Sequence, residues 1–290
     1  MITRRRLAAL LALPLAGLAA AACSPLATFN ALVPKDGGSR VAARGLAYGL
    51  GPRRMVDVYA PTEGRGPFPV MVFAYGGNWA SGDRAGYAFV GHAMAAQGFL
   101  TFVFDYRLVP EVRYPAFVED TAAAIRFARD RAAEFGGDPD RIVLSGHSAG
   151  AYNVAQAVID RRYLREAGVP RQAIRGVAGL AGPYDFFPFT SDVAEEAFKG
   201  IEDGPATQPV NLVRGGEPAF FLAWGTEDDT VKPPNSEELA RQLRRAGVRV
   251  ETRAYKGVGH AGLVLALARP LRGRAGVLED LARWARGVAG

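Results

Sequence analysis

The chain is expected to form one α/β domain, a mostly parallel sheet with helices on both faces. Three observations lead there. With 290 residues, 49% of them hydrophobic, the chain holds enough apolar material for one large core. Short apolar runs alternate with longer stretches at helical spacing, the order of repeated strand-helix-strand units. Several of those runs are apolar throughout, as strands are when helices cover both faces of their sheet. A charged fraction of 22% argues against a disordered chain.

In chain order, residues 1–22 read as an export signal. Arg4, Arg5 and Arg6 precede an apolar run free of acidic residues, which ends in Ala20-Ala21-Ala22. The start Thr3-Arg4-Arg5-Arg6-Leu7 resembles a twin-arginine signal. Cys23, the single cysteine, stands where a bacterial lipoprotein would be cleaved and acylated, although Ala20 occupies a position where such proteins usually have Leu. The expectation is export to a bacterial periplasm or envelope with a lipid anchor at Cys23. Ordinary cleavage after the A-x-A pattern is the alternative. Residues 23–40 are rich in Pro, Gly and Ser and suit a tether, leaving 41–290 as the domain. Strand runs follow at 55–59, 69–75, 100–104, 142–144, 174–180, 219–224 and 248–255, with helical stretches at 85–96, 117–135, 149–159, 236–246 and 277–288. Residues 182–217, aromatic and then rich in Pro, Gly and acid, break the rhythm and are expected to be a surface excursion near the site.

The chemistry gathers in a few places. Gly146-His147-Ser148-Ala149-Gly150 lies between an apolar strand run and a helical stretch, where a sharp turn would expose the serine and glycines would permit close backbone approach. A serine hydroxyl needs an adjacent base, and the chain has three histidines. His147 is expected to point away on the tight turn, and His92 lies in a helical stretch ahead of the serine. His260, in the flexible loop Gly257-Val258-Gly259-His260-Ala261-Gly262 after the last strand, is the candidate base. A histidine base needs a carboxylate to orient it, and Glu227, Asp228 and Asp229 follow the strand run at 219–224. Tyr75-Gly76-Gly77-Asn78-Trp79 follows another strand, where paired glycines would turn N–H groups toward a developing oxyanion, with the Ala149 N–H beside the serine as a further donor.

From 69 to 260 the chain resembles the α/β-hydrolase esterases of the hormone-sensitive-lipase, feruloyl-esterase-like and arylformamidase-like groups. The resemblance rests on YGGNWASGD (75–83), DYRL (105–108), RYPAFVED (113–120), FGGDPDRIVLSGHSAGAYN (135–153), GLAGPYDF (179–186), WGTEDDTV (224–231) and GVGH (257–260). It implies the α/β-hydrolase fold with about eight strands. Ser148 would be the nucleophile, His260 the base and Asp228 the orienting acid, three residues before Val231 as in the family's G-x-x-D-x-x-V pattern. Gly77, Asn78 and Ala149 would supply oxyanion donors. Tyr75 stands where the family usually has His, so the donors are expected to survive while the anchoring of their loop is open. Asp105, Arg107, Asp120 and Asp185 are expected to form structural ion pairs and caps.

The implied activity is hydrolysis of small or medium carboxylic esters through an acyl-serine, with Trp79, Tyr184 and Phe186, and beside them Phe187 and Phe189, expected to line an apolar substrate pocket; packing of that aromatic run as core is the alternative. Amide hydrolysis of the arylformamidase type, a feruloyl or carbohydrate esterase, and a non-catalytic surface-binding protein on the same scaffold are the alternatives. No cofactor is expected. No glycine precedes a lysine, so a Walker A loop is excluded, and three dispersed histidines argue against a catalytic metal. The net charge of +6 falls to about +3 once Arg4, Arg5 and Arg6 are set aside, and no basic run remains to track nucleic acid. Membrane contact is expected only through Cys23.

Overall fold

The computed structural model describes residues 25–290; the leader at 1–22 and Cys23 lie outside these described residues. Eight strands form one sheet: β1 (Ser39–Ala47), β2 (Met55–Pro61), β3 (Phe68–Ala74), β4 (Leu100–Phe104), β5 (Gly137–His147), β6 (Ile174–Leu180), β7 (Ala219–Gly225) and β8 (Val250–Tyr255). Their order is β1-β2-β4-β3-β5-β6-β7-β8. β2 pairs antiparallel with both β1 and β4, and every pairing from β4 to β8 is parallel. The α/β expectation holds, and the sheet has the α/β-hydrolase arrangement.

Among the described residues ten α-helices accompany it: α1 (Pro25–Leu32), α2 (Ala88–Ala96), α3 (Ala116–Arg131), α4 (Ala149–Ile159), α5 (Arg161–Glu166), α6 (Asp192–Ala197), α7 (Pro209–Leu212), α8 (Pro234–Arg245), α9 (His260–Leu265) and α10 (Val277–Ala289). α2 packs beside α10 and α3 beside α4, each pair against the central strands. The continuously apolar runs of β3, β4 and β7 are buried along nearly their whole length, as strands sandwiched between helices must be. α10 shows the complementary pattern, with Leu278, Leu281, Ala282 and Ala285 buried on one face and Arg283 and Arg286 outside.

β1 is the strand that no apolar run announced. It lies at the sheet edge, mostly half-exposed, with two register shifts against β2. One shift brackets Gly45, whose φ is +61° and whose N–H donates to the buried Asp57. An edge strand needs only one covered face and one paired side, so its sequence carries little of the usual signal.

The tether expected over 23–40 needs correcting where it is described. Residues 25–32 form a helix docked on α2: Phe29 meets Phe89 edge to face at 5.5 Å, and Asn30 donates to the Ala85 carbonyl while accepting from the Phe89 N–H. The excursion at 182–217 is likewise only partly a surface feature, because Tyr184, Ala197 and Phe198 from it are buried. Asp105 and Asp120 anchor ion pairs as expected, Asp105 with Arg84, and Asp120 with Arg54 and Arg107. Asp185 does not: its side chain is exposed, and only its N–H is engaged, by Asn235 Oδ1.

Candidate active site

Ser148 sits between the end of β5 and the start of α4 at φ +54° and ψ −124°, a region that non-glycine residues occupy only when their surroundings force it. The surroundings are backbone. A Cβ at Gly146 would lie 2.4 Å from the Gly150 oxygen, and one at Gly150 would lie 2.2 Å from the Ala74 oxygen at the end of β3. Both glycines are therefore required by close approach. The Ser148 N–H donates to Leu180 O of β6 at 2.9 Å, and its carbonyl accepts from Ala151 and Tyr152, opening α4.

Beside it, His260 begins α9 after β8, so that residues 260–262 of the expected flexible loop 257–262 are helical. Its Nε2 lies 2.9 Å from Ser148 Oγ and its Nδ1 2.8 Å from Asp228 Oδ2. Asp228 follows β7 with its side chain wholly buried. Its Oδ1 accepts from the N–H groups of Thr230 at 3.0 Å and Val231 at 2.8 Å. A carboxylate bound this way only accepts, so Nδ1 carries the imidazole proton and Nε2 presents its lone pair to the serine hydroxyl. The structure thus brings Ser148, His260 and Asp228 together in a continuous row, with Glu227 and Asp229 outside it.

The loop after β3 forms the facing wall. Gly77, Asn78 and Trp79 have φ of +145°, +52° and +57°. A Cβ at Gly77 would stand 2.2 Å from the Ser81 oxygen, whereas the conformations of Asn78 and Trp79 have to be enforced by other contacts. The N–H groups of Gly77, Asn78 and Ala149 donate to no acceptor among the described residues.

Side chains from elsewhere hold the loop. The Tyr106 hydroxyl donates to Tyr75 O at 2.9 Å. Arg53 Nη2 donates to the Tyr75 hydroxyl at 2.8 Å and to Gly82 O at 2.6 Å. Trp79 Nε1 donates to Asn153 Oδ1 at 2.9 Å. The Tyr75 ring is stacked between Tyr87 and Tyr106, and burial raises its phenol pKa, so the hydroxyl stays protonated. Where the family usually has His, this chain uses a buried tyrosine and an arginine. Arg53 was not foreseen, since nothing in the sequence around Pro52-Arg53-Arg54 links it to position 75.

The expected substrate pocket is corrected by the packing. Trp79 is 4% exposed, stacked against Phe117 and Phe186 and met edge-on by Tyr152 and Phe198. Tyr184 is fully buried, and Phe186 closes the aromatic cluster. None of the three lines the cleft of ≈ 360 Å³ above Ser148, whose walls are Leu26 of α1, the loop 76–78, residues 81–83, Gly86, Tyr87, His147, Thr230 and His260. Leu26 had been placed in the tether and Tyr87 in an ordinary helix.

His147 makes no bond to the Ser148 hydroxyl, yet it reaches the site. It lines the cleft with its ring centroid 4.8 Å from that of His260, and its Nε2 lies 3.2 Å from the His260 carbonyl. Burial, with a smaller contribution from His260, pulls its pKa down to about 3, so it is a neutral imidazole near neutral pH. His92 is remote, bonded through Nδ1 to Ser39 Oγ at 2.7 Å. Among the described residues no group of three or more His, Cys, Asp or Glu side chains gathers as a metal site would.

Residues 56–243 match the BD-FAE family model. The probable isoprenylcysteine alpha-carbonyl methylesterase ICMEL1 of Arabidopsis thaliana is 30% identical over 253 residues, covering 79% of this chain and 52% of that protein. Esterase LipC of Mycobacterium tuberculosis is 30% identical over 228 residues, covering 69% of this chain and 55% of that protein. The chain thus spans little more than half the length of these relatives. Among solved structures, esterase B from Lactobacillus rhamnosis superposes with a TM-score of 0.80 at 20% identity, covering 91% of this chain and 90% of that one. A hormone-sensitive lipase from a metagenome library gives 0.73 at 22% identity, with 91% of each chain covered. Both share the α/β-hydrolase fold described above. With the family model matched over well more than half its length, the chain belongs to the BD-FAE family, among relatives named as esterases.

Proposed function

We propose that this protein hydrolyses carboxylic esters through an acyl-enzyme on Ser148. One observation carries the reading: an unbroken row from Asp228 through His260 to Ser148 Oγ, with links of 2.8 and 2.9 Å, faces the unpartnered N–H groups of Gly77, Asn78 and Ala149. His260 Nε2 takes the hydroxyl proton as Oγ attacks the ester carbonyl. The carbonyl oxygen gains negative charge and accepts from the loop and elbow N–H groups. Asp228 stabilises the imidazolium without itself taking the proton. Collapse of the intermediate expels the alcohol, which leaves with the proton from Nε2. Water then repeats the sequence on the acyl-serine, releasing the acid and restoring the hydroxyl.

The cleft supports small acyl groups, because the aromatic side chains that would have extended it are packed below it. Esterase B from Lactobacillus rhamnosis, bound to a tributyrin phosphonate, supports short acyl chains, and the methylesterase among the relatives supports a small leaving alcohol. Ser148→Ala is expected to lower hydrolysis of p-nitrophenyl acetate by at least about 10³-fold and to abolish labelling by a fluorophosphonate, with the thermal midpoint preserved. Undiminished turnover in that variant would overturn the reading. A formanilide assayed alongside separates ester from amide preference.

A further inference from the structure

We propose that His147 is a positioning residue for His260, gripping its backbone so that the imidazole stays between Ser148 and Asp228. The proposal rests on the reading of those three residues as the reacting row. His147 ends β5, directly before Ser148, and is 4% exposed. Its Nε2 approaches the His260 carbonyl at 3.2 Å. A carbonyl only accepts, so that nitrogen bears the proton and Nδ1 is left as the bare acceptor. Nδ1 has no partner among the described residues and is turned toward Gly76, where a Cβ would approach it to 2.9 Å.

The need for such a grip follows from where His260 sits. Gly257, with φ +73°, and Gly259 precede it, and α9 is only six residues long. The chain between β8 and α9 is tied on the β7 side, Glu227 N–H donating to Val258 O at 3.1 Å and Gly257 N–H to Thr226 Oγ1 at 3.0 Å, and the bond from His147 adds a tie at the His260 carbonyl itself. The bond from Nδ1 to Asp228 sets the rotation of the ring, and the bond from His147 sets the backbone that carries it. Two points define the direction in which Nε2 presents its lone pair, and a misplacement of about 1 Å at that atom is enough to cost on the order of 10²-fold in rate. The grip also has to be uncharged, because the ring 4.8 Å away becomes a cation during each half-reaction. Burial supplies that condition.

The test compares His147→Leu, which removes the donor, with His147→Gln, whose amide N–H reaches the Nε2 position, and His147→Asn, whose shorter side chain does not. Steady-state hydrolysis of p-nitrophenyl acetate and thermal midpoints are read for all three, beside Ser148→Ala and His260→Ala as controls. The expected result is kcat down about 10- to 100-fold in the Leu and Asn variants, with KM changed less than about threefold. The Gln variant should recover most of the loss. Should the Leu variant not fold, the Gln and Asn pair decides. Equal kcat in Gln and Asn, or wild-type kcat in a folded Leu variant, overturns the proposal while leaving the row intact. Wild-type activity in His260→Ala would instead overturn the reading of the row.

Discussion

The elbow around Ser148 and the loop from Tyr75 to Trp79 face each other across the same cleft, and both hold non-glycine residues at positive φ. They are held by different means. At the elbow the constraining atoms are main-chain oxygens of neighbouring segments, Ala74 O against Gly150 and Leu180 O against the Ser148 N–H. At the loop they are largely side chains distant in sequence. Arg53 lies 22 residues from Tyr75, Tyr106 lies 31 residues from it, and Asn153 lies 74 from Trp79. Strain clamped by a sheet is compact and nearly all-or-none. Strain clamped by side chains is spread over several bonds, each worth about 1 kcal/mol or somewhat more when charged, and so can be loosened in steps.

The strongest way to break this contrast is Gly150→Ala. In an ordinary helix the change is favourable by nearly 1 kcal/mol. Here the new methyl would lie 2.2 Å from Ala74 O and 2.4 Å from Tyr75 O, both main-chain atoms that cannot swing aside. The expected outcome is a loss of more than about 3 kcal/mol, read as a collapsed urea midpoint or insoluble protein. A folded variant with the wild-type midpoint would show that the elbow is not clamped by backbone.

Arg53→Met sharpens the other side. The methionine fills space but leaves the buried Tyr75 hydroxyl and the Gly82 carbonyl without their donor. The loop should lose definition while the elbow is untouched. We expect kcat to drop about 10- to 100-fold with KM nearly constant, and stability to fall by about 1–3 kcal/mol. Fluorophosphonate should still label Ser148, more slowly. A variant with kcat within twofold of wild type would mean that the loop holds itself.

The same contrast explains what could be read from the sequence. The elbow was legible because five consecutive residues with two glycines encode it, and the strands of the buried sheet because each needs a continuous apolar run. His260 was legible from its place after β8, whereas the place after β7 offered three acids and only the family's G-x-x-D-x-x-V pattern singled out Asp228. Arg53 was not, since one bond from a distant arginine leaves no local pattern. β1 escaped because an edge strand covered on one face carries little apolar pattern, and α1 because its eight residues, about two turns, are too few to show a period. The aromatic residues Trp79, Tyr184 and Phe186 show the converse error. Composition announced that they would be buried, but not whether against substrate or against other side chains; for Trp79 and Phe186 the rings of Phe117, Tyr152 and Phe198 decided for the core.

The smallest expected effect lies at the junction of the two regions. His147 belongs to the elbow strand yet serves the segment bearing His260, and burial lowers its pKa from 6.5 to about 3. Between those two values the unfolded chain binds a proton at this site that the folded protein excludes. Stability from this group is therefore fully present above about pH 6.5 and declines as pH falls toward 3. The slope it can contribute is at most about 1.4 kcal/mol per pH unit. Carboxylates titrate in the lower half of the same window, so the wild-type curve alone does not isolate it; the difference between wild type and His147→Gln does. Urea unfolding at pH 7, 5.5 and 4.5 should show the variant losing less stability than the wild type at each step down. Parallel curves would mean that the imidazole is hydrated and protonates in place, and the elbow strand would then be less tightly sealed than its packing implies.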